Sequence, residues 1–281
     1  MTSHVGAASE RVRASKYLVK VPEITAYFWI AKLLTTAMGE ATSDYFVYHI
    51  NPYAAVVLAF LVFVAALWLQ FRAKRYVAWV YWFAVVMVAV FGTMVADVTH
   101  IVLGVPYAIS TITFAIILAV VFLTWYRYER TLSIHTVYAG RRELFYWATV
   151  LATFALGTAT GDMTAVTLHL GYFSSGLMFT VLFAIPLVGR RLFGFGEVFA
   201  FWFAYVMTRP LGASFADWFG MPQTVGGLGY GRGSVAFVLT FFIVVLVGYL
   251  AWTKLDVQTG SLGEGTRTGP DAGQRGELQE H

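Results

Sequence analysis

The 281-residue chain is 59% hydrophobic and 17% aromatic, with 12% charged residues and no cysteine, against roughly 25% charged residues in an ordinary soluble domain. That deficit excludes a soluble globular protein, and the missing thiols exclude structural disulfides, thiolate metal sites and a cysteine nucleophile. A formal charge of +4 does not indicate nucleic-acid binding here, because basic loops mark the cytoplasmic side of a membrane bundle.

Residues 1–22, with Arg11, Arg13, Lys16 and Lys20, are expected to form a cytoplasmic leader, since the apolar run that follows exceeds 20 residues and is too long for a signal-peptide core. Runs able to cross a ~30 Å hydrocarbon core then fall at 24–48, 53–71, 76–102, 106–126, 143–169, 173–189, 196–219 and 233–253. Basic residues gather after every second run: Arg72, Lys74 and Arg75; Arg127, Arg130, Arg141 and Arg142; Arg190 and Arg191. The opposite connections hold no Lys or Arg except Arg232, in the Gly-rich loop from Met221 to Gly233. The positive-inside rule therefore predicts an all-α polytopic bundle of eight transmembrane helices in a bacterial inner membrane, with both termini cytoplasmic. Residues 255–281 are polar and Gly-rich and are expected to be a disordered tail.

All four odd-numbered runs carry the same gapless pattern: an aromatic, Trp, any residue, Ala or Thr, seven residues, Gly, four residues, Asp. The copies are Phe28, Trp29, Ala31, Gly39, Asp44; Tyr81, Trp82, Ala84, Gly92, Asp97; Tyr146, Trp147, Thr149, Gly157, Asp162; and Phe201, Trp202, Ala204, Gly212, Asp217. Each unit pairs a motif helix with a return helix, giving repeats at 23–72, 73–126, 143–190 and 191–254 with a linker at 127–142. An even number of spans per unit makes the repeats parallel, with a pseudo-fourfold or nested twofold arrangement about the membrane normal.

At 100° per residue, positions 0, 3, 7, 11 and 15 after each Trp fall within about 60° of one direction. The stripes read Trp29, Lys32, Thr36, Glu40, Asp44; Trp82, Val85, Ala89, Thr93, Asp97, with His100 beyond; Trp147, Val150, Phe154, Thr158, Asp162; and Trp202, Tyr205, Arg209, Ala213, Asp217. The glycines lie to one side of the stripe, where a missing side chain lets another backbone approach. The tryptophans read as packing or interfacial residues. Four acids in one leaflet are either helix-terminal groups facing water or members of a cation-linked layer, and the repulsion among them favours the second. Lys32, Glu40 and Arg209 are the deepest charges. Lys32 with Glu40 or a neighbouring Asp, and Arg209 with Asp217 or Glu40, are the expected pairs, serving either to neutralise a buried acid cluster or as transport countercharges. Pro210 is either a hinge or a static bend in its helix.

The Trp, Gly and Asp repeat, together with Lys32, Gly39 and Glu40 in the first copy and the run from Thr208 to Ser214 in the last, resembles the DUF347 repeat family of bacterial membrane proteins across residues 20–255. The resemblance implies a multipass inner-membrane protein with repeated domains and carries no activity.

Three functions remain open. The leading one is a cation transporter or channel in which Asp44, Asp97, Asp162, Asp217 and Glu40 bind the ion, Lys32 and Arg209 act as countercharges, and Thr36, Thr93, Thr158, Tyr205 and His100 assist. Oxygen donors suit protons or a hard divalent ion such as Mg²⁺ or Mn²⁺, while no resident cofactor is expected. The second is a membrane-embedded enzyme acting on a lipid or small apolar substrate, although no Ser–His–acid spacing, zincin motif or phosphate loop is present. The third is a structural or accessory protein with internally paired charges. The expected partners are the lipid bilayer and a small cation.

Overall fold

The computed structural model describes residues 19–258. The expected leader up to residue 18 and the expected tail from residue 259 lie outside the described residues.

Eight α-helices and no strand occur among the described residues: α1 (Ala26–His49), α2 (Pro52–Arg72), α3 (Ala78–Asp97), α4 (Tyr107–Glu129), α5 (Arg141–Asp162), α6 (Gly171–Phe193), α7 (Glu197–Gly220) and α8 (Arg232–Thr253). Local chemistry sets several of the ends. The Asn51 side chain accepts bonds from the backbone N–H groups of Tyr53, at 3.0 Å, and Ala54, at 3.3 Å, and Pro52 occupies the first turn of α2. Gly194 closes α6 in the left-handed region. Directly after Asp97 and Asp162, α3 and α5 widen into single π-helical turns, Val98–Val102 and Met163–Thr167. The spans expected at 76–102 and 143–169 therefore stay helical past the motif Asp but change hydrogen-bond register there.

Six helices are long and apolar enough to cross a membrane, which marks a multipass membrane protein. The other two, α1 and α7, carry Lys32, Glu40 and Asp44, and Glu197, Arg209 and Asp217.

The motif helices form a closed ring, in which α1 packs on α3, α3 on α5, α5 on α7, and α7 back on α1. Each return helix leans chiefly on the motif helix of the following repeat: α2 on α3, α4 on α5, α6 on α7, and α8 on α1. In the most apolar window of α2, α4, α6 and α8, 22–28% of the residues are buried, against 61% in α3 and 67% in α5, so the return helices form the outer shell. Lipid tails are as apolar as leucine, so small residues and polar contacts must hold the ring together. The repeated glycines meet that need cyclically. A methyl group added at Gly39 would strike Ala89, one at Gly92 would lie 2.7 Å from the Phe154 β-carbon, one at Gly157 would strike Arg209, and one at Gly212 would strike Thr36. Each partner is the residue seven positions after the Trp of the next copy, with the fourth copy returning to the first.

Below these contacts, Trp82, Trp147 and Trp202 are buried in one aromatic core together with Phe28, Tyr81 and Tyr146, while Trp29 is half-buried at its edge. Trp202 donates its indole N–H to the Leu132 carbonyl at 2.9 Å.

Candidate functional site

The ring brings position 11 of three motif helices around one guanidinium. Arg209, on α7, is fully buried. Its Nη1 donates to the Thr36 carbonyl at 3.0 Å, and its Nη2 donates to the Thr158 hydroxyl at 2.7 Å, to the Thr93 hydroxyl and to Glu40 Oε2. Thr93 and Thr158 give their own hydroxyl protons to the carbonyls of Ala89 and Phe154 one turn back, leaving their oxygens free to accept. One side chain thus ties all four motif helices together, and its ion pair with Glu40 lies out of water.

Lys32 pairs with no carboxylate among the described residues. Its buried amine lies 3.9 Å from the Phe154 ring centroid and 4.2 Å from that of Tyr205, with no hydrogen-bond partner. Arg209 holds Glu40 in its place.

On the other side of Arg209, carboxylate oxygens of Glu40, Asp162 and Asp217 all lie within 4.8 Å of one another. Glu40 and Asp217 are buried and Asp162 is half-buried. This trio has the donor type and spacing for a proton or a hard cation. Asp44 and Asp97 stand outside it. Asp44 accepts from Arg232 Nε at 2.8 Å, and Asp97 is the acceptor for the Ser43 hydroxyl at 3.5 Å. His100 lies elsewhere, its ring stacked 3.5 Å from that of Tyr107 and its Nδ1 2.8 Å from the Val105 carbonyl.

The opposite end of the bundle, marked by the Arg- and Lys-rich loops, carries contacts not anticipated from the sequence. The segment before α1 tucks beneath the ring. Buried Lys20 donates to Glu143 at 2.6 Å and to the Gln70 carbonyl at 2.8 Å, and Gln70 Nε2 donates to Glu143 at 3.1 Å. The Lys20 backbone N–H donates to the Val137 carbonyl at 3.0 Å, and that of Glu23 donates to the Asp256 carbonyl at 2.8 Å. The Tyr76 hydroxyl donates to Asp256 Oδ2. Burial pushes the Asp256 carboxyl above its ordinary value, opposed by the Tyr76 bond, while burial and that carboxylate push the Tyr76 phenol up. The available signal was slight, because Lys20 reads as one of four basic residues of the leader and Glu143 directly follows Arg141 and Arg142.

Two grooves lie away from the acidic trio. One of about 470 Å³, lined by residues such as Met38, Leu58, Phe83 and Val247, has no ionisable group in its wall. Another of about 560 Å³, between α1, α6 and α7, has His135, Arg190 and Glu197 in its wall.

The sequence pattern described as "Repeat of Unknown Function (DUF347)" matches residues 27–76, 80–131, 145–192 and 200–256, more than half of the chain. No curated protein and no solved structure matches significantly.

Proposed function

The chain belongs to the DUF347 repeat family, and from the geometry above we propose that it is an eight-span inner-membrane cation transporter with both termini cytoplasmic. The observation that carries this reading is the trio Glu40, Asp162 and Asp217, gathered within 4.8 Å next to a buried guanidinium. Ionisable groups at such depth are costly and ordinarily serve a pathway or a relay. In support of eight spans, α1 and α7 each have 24 residues, about 36 Å at 1.5 Å per residue, and their charges within the span, Lys32, Glu40, Asp44, Arg209 and Asp217, are buried or half-buried against the rest of the bundle, while the exposed Glu197 sits at the first residue of α7. In support of the orientation, the described ends of the chain meet at the end that carries the basic loops.

The working cycle follows from electrostatics. A cation arriving at the trio neutralises Glu40, which weakens its hold on Arg209 and frees the ring to change packing. Beneath the trio the axis is filled by Arg209, Phe154 and the aromatic core, which supports a carrier over an open channel. The all-oxygen donor set suits a proton, Mg²⁺ or Mn²⁺.

A second reading, an accessory protein with internally paired charges, is favoured by the several hydrogen bonds of Arg209 and by the Asp44–Arg232 pair. The enzyme alternative gains nothing from the first groove, whose wall lacks an acid or base.

Flux into sealed proteoliposomes separates these. Protons, K⁺, Mg²⁺ and Mn²⁺ are compared for the parent and for a folded Asp162→Asn, Asp217→Asn variant. Selective flux that the variant loses supports transport; no flux under an imposed gradient and potential supports the accessory role.

A further inference from the structure

We propose that the cation carried inward is the proton, and that it travels from Lys32 through the hydroxyls of Tyr205, Tyr146, Tyr81 and Tyr76 to Asp256 at the basic end. The proposal rests on the transport reading above and names its ion.

The path begins directly beneath Arg209, which keeps its charge under all conditions and so cannot relay a proton. Lys32 is the first exchangeable group below it. Its amine is buried, has no hydrogen-bond partner and lies over the Tyr205 ring. The Tyr205 hydroxyl is likewise buried without a hydrogen-bond partner, and its ring and that of Tyr146 both pack against Trp202, with centroids 5.4 Å and 6.2 Å from the indole. The Tyr146 and Tyr81 hydroxyl oxygens are 2.5 Å apart. The Tyr81 ring packs edge-on against that of Tyr76, with centroids 5.6 Å apart. The Tyr76 hydroxyl donates to Asp256, whose other oxygen, Oδ1, is buried and unpartnered.

The repeat makes this series conspicuous. Tyr81 and Tyr146 occupy the position held by Phe28 and Phe201, and Lys32 and Tyr205 occupy the position held by Val85 and Val150. An apolar ring would pack with Phe and Val at every copy, and each added polar atom carries a desolvation cost. These departures fall on neighbouring helices and face one another. A divalent metal has no comparable route, because it needs about six oxygen ligands, whereas a proton needs one hydroxyl at a time.

The transfer balances without a redox partner. A proton released from Glu40 when Arg209 moves aside binds the Lys32 amine. The ammonium then gives a proton to the Tyr205 oxygen as Tyr205 releases its own to Tyr146, and the shift repeats through Tyr81 and Tyr76. The Asp256 carboxylate ends as a carboxylic acid and discharges to water when the segment containing Glu23 lifts. Each O–H or N–H bond broken is matched by one formed. Between Glu40 and Lys32, Lys32 and Tyr205, Tyr205 and Tyr146, and Tyr81 and Tyr76, the hop uses a water molecule or a side-chain rotation. The other charged groups facing the path are Glu40 and Arg209 above it and the Lys20–Glu143 pair at its basic end.

The test is proton entry into proteoliposomes carrying an internal pH dye, under an imposed potential. Tyr81→Phe, Tyr146→Phe keeps the rings and removes the oxygens, and proton entry is expected to fall about a hundredfold. Entry by the parent is also expected to slow in D₂O. Tyr249→Phe, on the membrane-facing surface, serves as the control and keeps the parental rate. Should the double variant fail to fold, Asp256→Asn, beyond the last helix, is expected to give the same loss. If folded tyrosine variants carry protons at the parental rate while Asp162→Asn, Asp217→Asn does not, the relay is overturned and the transport reading stands. The relay likewise falls, and transport stands, if the parent moves K⁺, Mg²⁺ or Mn²⁺ but no protons. If the parent moves no cation, both fall.

Discussion

Gly157 on α5 lies against the β- and γ-carbons of Arg209 on α7 so closely that a methyl group at position 157 would overlap them. The glycine makes room for the side chain that joins the ring. Gly157→Ala is therefore expected to displace Arg209 from Glu40, at a cost of about 3 kcal/mol from overpacking and the weakened pair. Gly161, one turn on, has its nearest neighbours at 3.8 Å, so Gly161→Ala is expected to be neutral or slightly stabilising, by up to about 1 kcal/mol. Denaturant unfolding of both variants in detergent checks the contrast.

The Arg209–Glu40 pair separates a latch from a brace. Removing either partner leaves the other charge buried, and Arg209→Met or Glu40→Gln alone is expected to cost about 3–5 kcal/mol. The double variant should recover most of that stability, with a coupling energy of at least about 1 kcal/mol in a double-mutant cycle. The transport account further expects the recovered double variant to carry no cation, whereas an accessory role has no flux to lose.

Lys20 holds the segment before α1 to α2 and α5 through Gln70 and Glu143. Lys20→Met should leave Glu143 without its charged partner and loosen residues 19–25. Hydrogen exchange is the direct check: the backbone amides of Lys20 and Glu23, bonded to the Val137 and Asp256 carbonyls, are expected to exchange faster, while those in the middle of α5 stay protected.

Asp256 imposes a pH dependence whose sign is fixed by burial. Its folded carboxyl sits above the ordinary value, about 3.9 in an unfolded chain. The neutral form is thus favoured in the fold, so this contribution is fully present below the unfolded value and is lost as pH rises through the folded one. Asp256→Asn removes the dependence. The melting temperature of the variant should accordingly gain on that of the parent as pH rises from about 4, and a constant difference would contradict the burial argument.

How much was legible varied with the kind of signal. The run 53–71 became Pro52–Arg72 and the run 233–253 became Arg232–Thr253, because apolar stretches bounded by Pro, Arg or Gly leave little freedom. The stripe through Thr36, Glu40, Thr93, Thr158 and Arg209 was readable from helical periodicity, and these residues meet. The π turns after Asp97 and Asp162 were not readable, since a one-residue change of hydrogen-bond register leaves composition and hydropathy unaltered. Nor was the preference of each return helix for the next repeat, a contact between units that no single unit encodes. The wheel made the four aspartates equivalent, but Arg232, at the first residue of α8 and outside the Trp, Gly and Asp motif, singles out Asp44. Lys32 lies two turns before Glu40, and helical side chains lean toward the N-terminus, so its amine leads away from that carboxylate to the rings of Phe154 and Tyr205.

The central claim, that Glu40, Asp162 and Asp217 take up and release protons as a unit, is tested most directly by pH-difference infrared spectroscopy of the purified protein in lipid, read at the carboxylic-acid C=O stretch. Shared uptake predicts bands that appear as pH falls, that shift in D₂O, and that are reduced or displaced together in each of Glu40→Gln, Asp162→Asn and Asp217→Asn, because the three form one site. Bands that survive unchanged in folded single variants would contradict it, leaving the trio as a fixed counterweight to Arg209.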